Sequence, residues 1–140
     1  NVEYLIRDMF IAEKVSDVAA IKEVRTFAVA QQQKMGEEKG IVMDGRDIGT
    51  TVFPDAELKF FMTADIAVRV ERRYLEMLAK NPNISIDDVK ANLEMRDYID
   101  SNREVSPLRK APDAIELDNT ALSIAEQLEI AVGFVKGKIY

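Results

Sequence analysis

Gly40-Ile-Val-Met-Asp-Gly-Arg-Asp-Ile-Gly-Thr50 decides how the rest of the chain is read. Gly40 to Met43 is a short apolar run after a long helical pattern, and it predicts a buried strand. The run ends in Asp44-Gly45-Arg46-Asp47, and Gly49, Thr50 and Thr51 follow. In open α/β sheets, ligands bind just past the carboxyl ends of the strands. An arginine there can fork onto a phosphate or carboxylate, and an aspartate beside it can accept hydrogen bonds from an amine. A solvated Asp-Gly turn has the same spelling, so the segment alone leaves both readings open.

Working outward, helices and short hydrophobic strands alternate. Leu5, Ile6, Met9 and Phe10 predict a helix to about Ala12. Ser16 is expected to cap a second helix running to Met35, with Val18, Ile21, Val24, Ala28 and Gln32 at helical spacing. After the Asp44 loop, Leu58–Met62 reads as a strand, and Thr63 or Asp65 caps a helix to about Lys80. Ser85 with Asp88 resembles a capping box opening a helix to Arg103, and 114–118 is expected as a third strand. Ser123-Ile-Ala-Glu126 is a full capping box for a last amphipathic helix, which Gly133 and Gly137 are expected to fray. The alternation predicts an α/β fold with a parallel sheet, in one domain over residues 1–140. Three strands make a thin sheet. Opening at Asn-Val-Glu-Tyr without an initiator Met, the chain is expected to be part of a longer protein.

Composition narrows the chemistry. The 140 residues contain no Cys and no His, which excludes disulfides, thiolate zinc sites, imidazole ligands and the usual general base. Reactions here must run on carboxylates, arginines, lysines, hydroxyls and backbone. A formal charge of −6 argues against non-specific binding to nucleic acid or anionic membrane. No apolar run approaches the ~20 residues that span a bilayer. Against that acidic background the arginines cluster, at Arg69, Arg72 and Arg73 and again at Arg96, Arg103 and Arg109, which marks a candidate binder of small anions.

Along the 86–103 helix, the apolar stripe of Ile86, Val89 and Leu93 gives way to Arg96, Asp100 and Arg103. A carboxylate between two guanidiniums on an inward stripe can aim both at an anion, or can simply fasten the helix end. Arg69, Arg72, Arg73 and Glu76, at i, i+3, i+4 and i+7, read as solvated salt bridging. Gly133-Phe-Val-Lys-Gly137-Lys138 imitates a phosphate loop with the wrong glycine spacing. Asp44, Asp47 and Asp55 are weak candidates for Mg²⁺.

Asp44-Gly-Arg-Asp-Ile-Gly-Thr-Thr-Val-Phe-Pro-Asp55 resembles the bacterial cytidylate (CMP/dCMP) kinase family, as do Arg96-Asp97-x-x-Asp100-x-x-Arg103-x-x-x-Pro107-Leu108, Leu117-Asp118-Asn-Thr120 and the Ser16…Val24-Arg25 spacing. The resemblance runs collinearly over nearly the whole chain. It departs in two places: the family's P-loop segment has no counterpart, and Tyr98-Ile99 stands between aspartates where more polar residues are often found. It implies a P-loop nucleoside monophosphate kinase-type sheet flanked by helices, incomplete here, with a lid over about residues 74–109.

The resemblance also implies ATP-dependent conversion of CMP or dCMP to the diphosphate by a cytoplasmic, monomeric enzyme. Mg²⁺ would arrive with ATP, and no metal would be tightly held by protein ligands. Ser16, Arg25 and Asp47 would read the cytosine edge, with Asp47 accepting from the exocyclic amine. Arg46 and Arg103 would hold the monophosphate, Arg96 and Asp100 the ribose and arginine network, and Arg73 would approach the ATP phosphates. Arg46, Arg96, Arg103 and Arg73 would then stabilise the transferring phosphoryl group. The alternatives are a non-catalytic nucleotide-binding or interaction module, a kinase for another nucleoside monophosphate, and, for the chain alone, an inactive piece that self-associates.

Overall fold

The computed structural model describes residues 9–139. The elements run α1 (Met9–Ala20), α2 (Lys22–Met35), a single π turn (Ile48–Val52), β1 (Phe60–Thr63), α3 (Ile66–Leu78), α4 (Ile86–Asn102), β2 (Ile115–Asp118) and α5 (Ile124–Ile139). β1 and β2 pair in parallel, from Phe60 opposite Ile115 to Thr63 opposite Asp118. Parallel neighbours need a long crossover, and α3 and α4 supply it.

Local chemistry accounts for most boundaries. Asp65 caps α3 by accepting from the Ala67 N–H at 2.7 Å. Ser85 caps α4 through the Asp87 N–H at 3.2 Å, so the cap contact falls on Asp87 rather than on the expected Asp88. The box at α5 is reciprocal: Glu126 accepts from the Ser123 N–H at 2.8 Å, and Ser123 Oγ accepts from the Glu126 N–H at 3.3 Å. The Ser123 hydroxyl and N–H hold the Glu126 carboxyl below its ordinary pKa. Helix α5 continues through Gly133 and Gly137 to Ile139, so these glycines do not end it.

Three expectations need correction. Residues 40–43 form no strand, and Val42 is fully exposed. Among the described residues no strand lies beside the segment to take its N–H and C=O groups, and apolarity without a pairing partner makes no ladder. Two strands therefore stand where three were expected. Ser16 is not an N-cap, because the preceding helix continues to Ala20 and places it, buried, inside α1. The expected helix from Ser16 to Met35 is broken at Ile21, whose ψ of 122° is extended and which makes no side-chain cap. The expected helix from Asn1 falls outside the described residues up to residue 8.

The buried apolar side chains are Val52, Val70, Met77, Val89, Ala111 and Leu117, a small core drawn from the π turn, α3, α4, β2 and the loop before β2. Ile86 is half exposed, so the inward stripe of α4 begins at Val89, which is 1% exposed. The apolar side of α5 is open at Ile124 and Leu128.

Two polar clamps bind the remaining pieces together. Arg69 forks onto Asp97 at 2.6 and 3.0 Å, tying α3 to α4, and this hydrogen bonding raises the arginine's pKa. Arg72 donates to the carbonyls of Asn119, Thr120 and Leu122, closing the loop after β2. Salt bridging is expected of these arginines on the solvated side of α3; they remain partly exposed, but their partners lie on α4 and the loop after β2 rather than on α3 itself. Lys59 on the approach to β1 is buried, its stem against Gly49 and its ammonium on the Pro54 carbonyl and on Asp113 at 2.8 Å. Lys59→Ala is expected to lower the unfolding free energy by about 1.5–3 kcal/mol, the range for hydrogen bonds to charged groups. Urea unfolding at neutral pH checks this, and an unchanged midpoint would remove Lys59 from the account.

Candidate functional site

The π turn sets the first wall of the site. The Asp47 carbonyl accepts from the N–H groups of Thr51 at 2.8 Å and Val52 at 3.2 Å, and the Phe53 N–H closes onto the Ile48 carbonyl at 2.7 Å. Val52 is 2% exposed, and its carbonyl takes the Gln33 side chain of α2 at 3.3 Å. Lys59 fastens the far end of the same segment. Asp47 thus projects from backbone held on two sides, and its side chain is 1% exposed.

That burial is compensated by arginines. Arg25 of α2 donates from a terminal nitrogen to Asp47 Oδ1, and a terminal nitrogen of Arg103 lies 3.7 Å from the same oxygen. Asp100 on α4 is also buried, accepting from Arg46 Nε at 3.0 Å and lying 3.5 Å from Arg103. Arg103 donates its Nε to the Ser106 carbonyl at 2.7 Å, and the Leu108 N–H reaches the Asp100 carbonyl at 2.7 Å. The chain therefore folds back on the end of α4, with Ser106 at a φ of 53° in the turn.

These groups enclose a cavity of about 220 Å³ between the α1–α2 pair, the Asp47 turn and α4. Ser16, Arg25, Arg46, Asp47, Arg96, Asp100 and Arg103 all line it, so every sequence-predicted substrate residue is brought to one place. Gln32 lines it too. Inside, several buried polar atoms have no hydrogen-bond partner among the described residues: Asp47 Oδ2, Gln32 Oε1, Arg25 Nε, Arg96 Nε and Arg103 Nη2. Native structures leave few such atoms unmet, and the residues that carry these all line one cavity.

The field inside is positive. Burial, then the charge of Arg46, lowers the pKa of Arg96, and burial, then Arg25, lowers that of Arg103. Guanidiniums remain charged nonetheless. They are held against mutual repulsion by the two carboxylates and are ready to receive an anion. Arg73 is not among the lining residues; it pairs with Glu76 at 3.0 Å, and its charge is felt at Arg96. Asp44 is exposed away from this arrangement, and among the described residues no group of three or more His, Cys, Asp or Glu converges to hold a metal.

Sequence reading missed two contributors. Gln32 was legible only as a member of a helical repeat, although it lies at i+7 from Arg25 and so shares its face. Lys59 was hidden inside an apolar strand pattern.

The cytidylate kinase family model matches residues 1–137. The chain belongs to the cytidylate kinase family. Among curated relatives, a cytidylate kinase of Bacteroides thetaiotaomicron is 59% identical over 129 residues, covering 92% of this chain and 56% of that protein. One from Cytophaga hutchinsonii is 52% identical over 139 residues, covering 99% and 59%. One from Flavobacterium psychrophilum is 56% identical over 135 residues, covering 96% and 60%. The chain thus spans somewhat over half the length of the relatives it matches. Membership puts the parallel strand pair and its helices in the P-loop nucleoside monophosphate kinase class. Among the described residues no helix is long and apolar enough to cross a membrane.

Asp100 is one of the two carboxylates that make the arginine cluster tenable. Asp100→Ala is expected to cost about 3 kcal/mol, because Arg103 stays buried beside other cations. Sulfate should restore part of the loss by occupying the positive cavity. Thermal melts of both forms with and without sulfate check this, and equal stability of the two proteins would contradict it.

Proposed function

We propose that this protein phosphorylates CMP and dCMP at the expense of ATP, giving the diphosphates, and that the cavity between α1, α2 and α4 is its monophosphate site. The observation that carries this reading is the set of unmet polar atoms: acceptors at Asp47 and donors on Arg25, Arg96 and Arg103, all in one cavity. Such a pattern suits a ligand with an amine at one end and an anion at the other. Four guanidiniums against two carboxylates leave a formal +2, which matches a phosphate monoester's charge of about −1.5 to −2 at neutral pH.

In this reading Asp47 Oδ2 accepts from the exocyclic amine of cytosine, with Ser16 and Arg25 beside it. Uracil presents a carbonyl at that position and would leave a buried carboxylate oxygen unmet, which is a strong basis for rejection. Arg46 and Arg103 hold the phosphate. Arg46 suits the task because its side chain is 42% exposed and only its Nε is bound to Asp100. Arg96 and Asp100 serve the ribose and the arginine network, while Arg73 extends the positive field towards ATP's phosphates.

The α4 region lies within a lid over about residues 74–109 that closes on the nucleotides. Catalysis is positioning plus stabilisation of charge on the transferring phosphoryl group, which needs neither histidine nor a covalent nucleophile. Mg²⁺ accompanies ATP, bound chiefly by its phosphates. The setting is cytoplasmic and the complete enzyme monomeric. The names of the matched relatives support the activity, and the cavity's polarity supports the substrate.

The protein expressed from its full coding sequence is expected to convert CMP and dCMP to diphosphates with Mg-ATP, measured by coupled ADP release; no turnover with either overturns the reading. Asp47→Ala should lower kcat/KM for CMP roughly 10²- to 10⁴-fold while leaving the KM for ATP nearly unchanged. Equal damage to both substrates would count against a base-reading role.

A further inference from the structure

Gln32 remains unexplained by the assignments above. It lies on α2 at i+7 from Arg25, on the same helix face, and lines the same cavity. Its Oε1 is buried and has no hydrogen-bond partner among the described residues, although four guanidiniums line the cavity that Gln32 helps to line. The neighbouring Gln33 anchors α2 to the turn that carries Asp47, by donating to the Val52 carbonyl at 3.3 Å. Gln32 and Asp47 are thus held by two segments fastened to each other, and among the described residues lining the cavity they carry the two buried acceptors without a partner, Oε1 and Oδ2.

Two acceptors among so many donors are a specific demand. A phosphate dianion cannot meet them, since it offers only acceptors of its own. A primary amine on a flat ring can, because it carries two N–H groups pointing in different directions. The geometry points to Gln32 as a second reader of the pyrimidine's exocyclic amine, accepting one N–H while Asp47 accepts the other. This rests on the monophosphate-site reading given above. It adds a specificity residue outside the Asp-Gly-Arg-Asp loop, one that is neutral and so does not disturb the charge balance set by the arginines and aspartates.

The division also predicts different characters for the two acceptors. Asp47 is already bound to Arg25 and near Arg103, so it is part of the scaffold as well as of the readout. Gln32 has no such duty through Oε1, so its replacement should be felt in substrate choice rather than in folding.

The test uses the full-length protein and steady-state kinetics with CMP, dCMP and UMP at saturating Mg-ATP. Gln32→Met keeps the length of the side chain and removes the acceptor. It is expected to lower kcat/KM for CMP and for dCMP alike by roughly tenfold, with little change for UMP and for the KM of ATP. Gln32→Glu restores an acceptor of the same shape and should recover CMP discrimination against UMP. Melting temperatures of both variants separate loss of fold from loss of recognition. A wild-type protein that turns over neither CMP nor dCMP overturns the site reading and this inference with it. A wild type active on CMP, with Gln32→Met unchanged or equally impaired on all three substrates, overturns the Gln32 assignment alone. A loss confined to CMP and absent with dCMP also overturns it, because the residue would then be reading the sugar's 2′-hydroxyl.

Discussion

The arginine-lined cavity depends on keeping like charges close together. Arg25, Arg46, Arg96 and Arg103 line one cavity of about 220 Å³, and burial already disfavours the charge on Arg96 and Arg103. Two buried carboxylates hold them. Asp47 takes Arg25 and lies near Arg103, and Asp100 takes Arg46 and lies near Arg103. Arg103 is therefore the shared member, with its Nε fixed on the Ser106 carbonyl. The arrangement contributes little net stability, since desolvation of paired ions offsets their attraction. Its effect is to hold guanidiniums at fixed positions with donors left over, which is what the proposed phosphoryl transfer would require.

The scaffold shows how a small core suffices to hold such a cluster. Only six apolar side chains are buried among the described residues, so directional contacts carry the positioning. The Asp65 N–H bonds the Thr120 hydroxyl at 2.9 Å, and Arg72 grips the carbonyls beyond β2, which fixes α3 on the sheet. Arg69 then forks onto Asp97 and fixes α4 on α3. Asp97 follows Arg96 directly, so the residue that fastens α4 and the one that faces the cavity are about 100° apart on the same turn. A shift of α4 large enough to move Arg96 must stretch the Arg69–Asp97 fork.

Much of this was legible before any coordinates. The Arg96, Asp100 and Arg103 spacing placed three charges on an inward stripe, and the structure brings them to one cavity with Asp47. The capping residues Asp65, Ser85 and Ser123 named three helix starts because each is a local hydrogen bond that a short window of sequence contains. The Ser16 cap and the Gly133 and Gly137 stop were local signals that failed, and other failures were non-local. Gly40 to Met43 has a strand's composition, but a strand exists only beside another, and none of the described strands lies there. The break at Ile21 carries no glycine, proline or capping hydroxyl, so nothing local announces it. Lys59 reads as a strand residue, and its buried ammonium depends on Asp113, which lies 54 positions away.

The cavity's construction from two separately anchored walls bears on how recognition and chemistry divide. Ser16, Arg25, Gln32 and Asp47 come from α1, α2 and the turn fastened to α2, whereas Arg96, Asp100 and Arg103 all come from α4 and its cap. Arg46 and Arg103 cross between the walls, the first binding Asp100 and the second lying near Asp47. A ligand that inserts an anion between them therefore competes with the carboxylates for the same guanidiniums. Arg46 can yield terminal nitrogens without losing its Nε bond, so the anion can enter without breaking the clamp that keeps the walls together. On the proposed reading, base recognition on one wall and phosphate binding on the other are coupled through two arginines, and a ligand with only one of the two ends forfeits that coupling.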